Sequence, residues 1–268
     1  MLTNELQWNP RFSELGFLFL ERLPKPRAKE IKTLVIVSAV LSALNLWAFK
    51  YSDPLARLTL VGAQSVLAIS SLRLLKGLGS DQERERFHEC RRVQIFVASQ
   101  LVVSGYLGTW LHEMGHAFAM RTCLQNVMPE TRVTWFGEGR TYPIGAGAPT
   151  WLGERLGEKK GLMFLAAGGV ISSTCCATMA VVAARCFSRL SPLSDGLHSM
   201  AFWLVFREVA HALVNGSDFV EIRRQGGPSR LTWMIGLAAL PMIAGEITSL
   251  FFPSNRQCLQ GWTRLLQR

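Results

Sequence analysis

A short stretch of the sequence, LHEMGHAFAM from Leu111 to Met120, contains two histidines and a glutamate in the spacing HExxH. On a helix, His112 and His116 lie one turn apart on the same face, so both imidazoles can bind a single Zn²⁺ ion. Glu113 points about 100° away from His112 and can act as a general base toward a zinc-bound water. The pattern therefore predicts zinc-dependent hydrolysis, with Zn²⁺ as cofactor and Glu113 as the catalytic residue.

A catalytic zinc site needs a third protein ligand and keeps its fourth position for water or substrate. The stretch FREVAHALVNGSDFVEI holds the remaining candidates, which fall within about 80° of arc on one helix face: Glu208, His211, Asn215 and Asp218. We expect Asp218 to be the third ligand, with the helix ending or kinking just before it. Glu208 and His211 remain alternative third ligands.

The metal pattern lies in a strongly apolar chain. Of the 268 residues, 49% are hydrophobic, and they are gathered into long stretches with few charges. About 20 such residues are enough to cross the hydrocarbon core of a bilayer. The sequence therefore predicts an all-α polytopic membrane protein with about six transmembrane helices. The predicted spans are Leu34–Phe49, Leu55–Leu75, Val93–Met120, Gly161–Phe187, Leu197–Val214 and Leu231–Phe252.

The stretch that follows the HExxH helix has a different pattern. TRVTWFGEGRTYPIGAG alternates β-forming residues around a glycine-containing turn, which predicts a β-hairpin over Thr131 to Ile144. Non-helical backbone is tolerated at membrane depth only where protein covers it or where it lines a wet cavity. We therefore expect a short membrane-associated hairpin directly after the metal-binding helix.

Charge and cysteine content exclude two other classes. The formal net charge is +10, but the basic residues lie between the apolar stretches, as is typical of membrane proteins. They form no basic strip interleaved with aromatic residues, so nucleic acid is not an expected partner. The six cysteines include no CxxC pair, so neither a zinc ribbon nor a disulfide framework is indicated.

These motifs together resemble the site-2 protease family of intramembrane zinc metalloproteases. The resemblance covers roughly Val93 to Ile222 and rests on four elements in order: HEMGH in an apolar stretch, RVTWFGEG shortly after it, FLAAGGVISS at the start of the next apolar stretch, and NGSDF in a later one. The last element departs from the family pattern because Gly216 precedes the aspartate and no proline is present.

The resemblance implies hydrolysis of peptide bonds in membrane-embedded substrates, with membrane proteins and the lipid bilayer as partners. It also implies that Asn215 helps to hold the substrate and that the hairpin offers a strand edge to an unwound substrate segment. Such an edge replaces the hydrogen bonds that a transmembrane helix loses on unwinding. On this basis residues 1–33 form an interfacial or cytosolic segment, residues 34–252 a transmembrane metalloprotease-like domain with its core at 93–222, and residues 253–268 a tail.

Two functions of other classes use different features of the same sequence. A catalytically inactive membrane scaffold would bind partner transmembrane helices through small residues, namely Gly168, Gly169, Ser172 and Ser173. A transporter would use the polar stripe of the later apolar stretch to line an ion path. Neither function requires the HExxH pattern, so we expect proteolysis.

Overall fold

The structure is a computed structural model that describes residues 26–52, 54–136, 139–145, 147–187, 191–214 and 216–251. Most of the predicted segment 1–33 and the whole predicted tail 253–268 lie outside these residues. Residues 28–33 belong to the first helix.

The described residues are mostly helical. In chain order the helices are α1 (Ala28–Tyr51), α2 (Pro54–Gly77), α3 (Glu83–Val102), α4 (Gly108–Cys123), α5 (Trp151–Arg185), α6 (Pro192–Leu213), α7 (Ser217–Arg224) and α8 (Arg230–Phe251). A π-helical turn, Val103–Leu107, joins α3 to α4. The strands are β1 (Leu124–Gln125), β2 (Met128–Val133), β3 (Gly139–Ile144) and β4 (Ala148–Pro149).

The first three helices pack against one another around an apolar core. This core contains Leu41, Ala48, Leu60, Ala63, Leu67, Val97 and Leu101. Polar side chains also join the helices: the Gln94 side-chain amide donates to Ser38 Oγ at 2.8 Å, and the Asn45 amide donates to the Leu60 carbonyl at 3.1 Å. Such contacts satisfy polar groups that an apolar surrounding would leave without partners.

The second half of the chain is built around α4 and α5, which pack closely together. Helix α6 packs against α5, and α8 packs against both α5 and α6. The short helix α7 also packs against α5. Val170, Ala212, Phe219 and Leu237 form a buried cluster that joins these four helices. Within α5, Gly157 has a φ of 68°, and this left-handed residue marks a kink between two helical segments.

The predicted hairpin is present and begins earlier than expected. Strands β2 and β3 pair antiparallel from Met128 opposite Ile144 to Val133 opposite Gly139, whereas the prediction began at Thr131. A second two-stranded sheet pairs β1 with β4. At the hairpin tip the Phe136 N–H donates to the Gly105 carbonyl at 2.7 Å, so the tip is fixed to the π-helical turn.

The number of spans differs from the prediction. Three helices in the described part of the chain are long and apolar enough to cross a membrane: Ala28–Tyr51, Ala56–Gly77 and Trp151–Arg185. The expected count of six is therefore wrong. The helices that carry the candidate site also carry ionisable residues, and α4 has only 16 residues because the predicted span Val93–Met120 is divided at the π-helical turn. In α8 the apolar part, Arg230–Gly245, is shorter than a span requires.

Candidate metal centre

The HExxH residues lie in the middle of α4. His112 and Glu113 are buried, with 4% and 7% of their surface exposed, and His116 lies one turn further along the same face. The helix ends at Cys123, where the chain turns into β1 and onward to the hairpin. This local arrangement follows the sequence prediction.

Asp218 reaches the two histidines from another helix. Helix α6 ends at Leu213, and the chain starts the short helix α7 at Ser217, so Asp218 lies in its first turn. Asp218 Oδ2 is 2.8 Å from His112 Nε2 and 3.4 Å from His116 Nε2, and the two Nε2 atoms are 3.1 Å apart. The structure thus brings together one ligand atom from each of the three residues that we predicted as the zinc ligands.

The Nδ1 atoms of His112 and His116 both contact groups that accept hydrogen bonds. His116 Nδ1 is 2.8 Å from the Leu165 carbonyl, which can only accept, so Nδ1 donates. His112 Nδ1 is 3.1 Å from Glu208 Oε1, and an ionised carboxylate also only accepts. These tautomers are assigned from the partners. Both Nε2 atoms face the Asp218 carboxylate, and on rings that carry their hydrogen on Nδ1 they are the nitrogens that can bind a cation.

The spacing of the three atoms can be compared with a zinc site. Tetrahedral Zn²⁺ with Zn–N and Zn–O bonds of about 2.0–2.2 Å places its ligand atoms about 3.3–3.5 Å apart. The separations between these atoms are 3.4, 3.1 and 2.8 Å. A shift of about half an ångström in the Asp218 side chain would bring the shortest one into this range. Two neutral histidines and a carboxylate are also a ligand set that zinc uses, so the residues fit the ion.

Glu113 lies beside the hairpin. The Thr141 hydroxyl, on β3, donates to Glu113 Oε2 at 2.8 Å. Gly139 opens the same strand, and a Cβ atom there would collide with the Glu113 side chain and with Thr109. The absence of a side chain at Gly139 thus gives the glutamate the space that it occupies. The predicted catalytic residue is held by one hydroxyl and a close backbone contact.

A cavity of about 1160 Å³ gives these groups access to a ligand. Its wall includes His112, Glu113, His116 and Asp218 together with residues from the hairpin, from α6 and from the connection between α1 and α2. A volume above about 1,000 Å³ is large for a small-molecule site and leaves room for a segment of peptide.

The other predicted site residues occupy different positions. Glu208 contacts the outer nitrogen of His112, so it does not belong to the group of facing ligand atoms. His211 lines the cavity, with its ring centre 6.2 Å from that of His112, and it does not belong to that group either. Asn215, predicted to bind substrate, lies outside the described residues.

Three groups at the site were not predicted. They are the Thr141 hydroxyl, the Leu165 carbonyl and Gly169, whose lack of a side chain makes room for the His112 ring. Threonine in a hairpin and glycine in a helix are common, so neither residue type gave a signal of its own. Their roles depend on which helix packs against α4, which a local pattern does not contain.

Comparison of the chain with known protein families, with curated proteins and with solved structures finds no match.

Proposed function

We propose that the protein is an intramembrane zinc metalloprotease that hydrolyses peptide bonds of membrane-embedded substrates. The observation that carries the proposal is the convergence of His112 Nε2, His116 Nε2 and Asp218 Oδ2 beside a buried glutamate in one cavity. Three electron-pair donors and an adjacent general base are what metal-assisted hydrolysis requires. The order of the motifs, which resembles the site-2 protease family, supports the same function.

The membrane setting is supported by the surface of the first two helices. In α1 and α2 large apolar side chains are exposed, including Ile36, Leu46, Trp47, Leu58 and Leu72, each more than half exposed. An apolar surface of this extent is typical of helices that face lipid. We propose that α1, α2 and α5 cross the bilayer and that the site-bearing helices are held at membrane depth beside them.

The roles of the residues follow from their positions. His112, His116 and Asp218 would hold the zinc ion, which supplies Lewis-acid polarisation of a carbonyl group and acidifies a water molecule. Glu113 accepts the proton of the attacking water and passes it to the leaving nitrogen. The Thr141 hydroxyl orients the Glu113 carboxylate through Oε2, which leaves Oε1 free to take the proton.

The hairpin is the element that we propose for holding the substrate. Residues of β3 lie next to Glu113, and β2 and β3 form a sheet of only two strands. A substrate strand added alongside β3 would recover the backbone hydrogen bonds that unwinding removes. Such a strand would pass close to the catalytic glutamate.

The scaffold and the transporter gain less support. The small residues of the scaffold hypothesis are used within the chain: Gly168 contacts α4, Gly169 makes room for His112, Ser172 donates to the Leu111 carbonyl at 2.9 Å, and Ser173 is fully buried. The polar residues of the transporter hypothesis are likewise engaged, since Glu208 and Asp218 both contact His112.

The test compares the wild-type protein with Glu113→Gln, both purified in lipid nanodiscs. We expect about one equivalent of zinc in both proteins, because Glu113 is not a ligand. Incubation with a detergent-free mixture of host membrane proteins, followed by labelling of new N-termini, should give cleavage products with the wild type only.

Two outcomes would contradict the proposal. One is equal cleavage by both proteins. The other is a wild-type protein that contains no metal. In that case a protonated His112 would hold Glu208 and Asp218 by donating a hydrogen bond to each of them.

A further inference from the structure

Glu208 is the most deeply buried acidic residue of the described chain. It is 0% exposed, it lies on α6, and its Oε1 accepts from His112 Nδ1 at 3.1 Å. It is not among the residues that line the cavity, so it lies behind the histidine and does not contact the substrate. Glu208 can therefore act on the reaction only through its neighbours, which are His112 and Arg207.

Its neighbour Arg207 ties this carboxylate to the start of α4. Arg207 Nη1 donates to Glu208 Oε1 at 2.8 Å and to the Gly108 carbonyl at 3.2 Å, and Nη2 donates to Thr109 Oγ at 3.4 Å. One guanidinium thus holds both the carboxylate and the first turn of the helix that carries His112. The planar, forked guanidinium suits this bridging geometry in a way that a lysine ammonium does not.

Stability alone does not explain a carboxylate at this position. Removing a charged pair from water is costly, and replacement of such pairs by apolar residues is often neutral or stabilising. Glu208 Oε2 has no hydrogen-bond partner within the described part of the chain, so the group is not optimised as a structural contact. A carboxylate behind a metal-binding histidine, however, fixes its tautomer and ring orientation and makes the ligand nitrogen more basic.

The two histidines are supported differently. His116 is oriented by a main-chain carbonyl, that of Leu165, which no side-chain substitution removes. His112 is oriented by a side chain that carries a full negative charge. Substitution of Glu208 alone should therefore change the basicity of the His112 ring.

We infer that Glu208, held in place by Arg207, is a positioning residue of the metal centre that orients His112 and strengthens its bond to the metal. The inference rests on the proposed function, because it takes His112 as a zinc ligand. Glu208, an alternative third ligand in the sequence analysis, thereby becomes the hydrogen-bond partner of the ligand His112.

The experiment measures zinc affinity by competition with a chromophoric chelator on the full-length protein in nanodiscs. Glu208→Gln keeps the size of the side chain and removes its charge. We expect its zinc affinity to be about 10- to 100-fold weaker than that of the wild type. With Co²⁺ as the probe, the visible absorption bands should also shift, because they report the ligand field at His112. A change confined to folding would not move them.

The matched control is Asp195→Asn, which removes an acidic group from the first turn of the same helix. Asp195 is 3.5 Å from Arg92 and lies among residues that do not line the cavity. We expect its zinc affinity and cobalt spectrum to be those of the wild type. A second variant, Arg207→Met, leaves Glu208 in place and should weaken zinc binding as well, since the carboxylate loses the group that holds it.

The outcomes separate the two proposals. A wild-type protein that binds zinc, with Glu208→Gln unchanged in both affinity and cobalt spectrum, would overturn the positioning role and leave the proposed protease intact. A wild-type protein that binds no zinc would overturn both. If Glu208→Gln fails to fold, the Arg207→Met variant decides, and wild-type zinc affinity in that variant would overturn the positioning role.

Discussion

At the scale of single residues, a break in the helix separates Asp218 from the other candidate ligands. An uninterrupted helix through residues 208–218 would place all four polar candidates on one arc. In the structure α6 ends at Leu213 and α7 begins at Ser217. Asp218 therefore approaches the histidines from a new direction, while Glu208 stays behind His112 and His211 faces the cavity.

This difference predicts the zinc content of two variants. Asp218→Ala should bind well under one equivalent of zinc, because it removes one of three facing donors. His211→Ala should retain about one equivalent, because its ring lies outside that group. Elemental analysis of the two purified proteins measures this directly. Zinc retained in Asp218→Ala and lost in His211→Ala would show that the ligand is His211.

The HExxH part of the candidate site is local, so the sequence pattern alone places its residues together. His112, Glu113 and His116 are linked by the geometry of one helix, which depends only on spacing. The partners of those residues are not local: Thr141 comes from a strand 28 positions later, and Glu208 comes from a helix 96 positions later. Their roles depend on packing between elements, which a single sequence does not specify.

At the scale of elements, the position of the histidines depends on how closely α4 approaches α5. Gly115 lies between His112 and His116, and a Cβ atom there would collide with the Gly168 carbonyl on α5. The two backbones can approach so closely because both positions lack a side chain. The same approach lets the Leu165 carbonyl reach His116.

A methyl group at this contact should separate the helices. We expect Gly115→Ala to lower the free energy of unfolding by about 1–3 kcal/mol, the usual cost of overpacking. The control is Gly161→Ala on α5, where a Cβ atom would meet nothing within 4 Å. It should be neutral or about 0.5–1 kcal/mol stabilising, since alanine suits a helix better than glycine. Thermal unfolding of both variants in one detergent provides the comparison, and an equal loss of stability would contradict this account.

The hairpin shows why element boundaries are harder to predict than element types. The alternating pattern predicted the strands, but the first strand begins at Met128 and includes Pro129, which pairs with Pro143. Proline lacks an N–H and normally argues against a strand, except at an edge. In a two-stranded sheet both strands are edges, so the prolines are accommodated and the pairing extends beyond the predicted start.

At the scale of the whole molecule, apolar composition overstated the number of spans. An apolar stretch of the sequence does not show where its helix is interrupted. Helix α4 has only 16 residues and α6 carries ionisable residues such as the buried Glu208, so neither is among the three candidate spans of the described residues. The predicted helical class is therefore right, whereas the count of six is not.

The three candidate ligands connect α4 to α7, so a metal ion bound there should affect the stability of the whole fold. A ligand that binds only the folded state stabilises it by about 4 kcal/mol when its concentration is 1,000 times Kd. We therefore expect a strong chelator to lower the unfolding temperature of the wild type and to have no effect on His116→Ala. Differential scanning fluorimetry of both proteins, with and without chelator, measures the effect. An equal decrease in both proteins would show that the chelator acts elsewhere.

The π-helical turn before α4 decides which neighbours the histidines meet. Gln94 and His112 are 18 positions apart, which is about five turns, so a regular helix would give them the same angular phase. Gln94 bonds to α1, whereas His112 faces α6 and α7. The extra residue of the wider turn supplies a rotation of about 100° between them. Deleting one residue from Val103–Leu107 would therefore redirect the imidazoles toward α1, so the length of this turn sets the direction in which the HExxH side chains point.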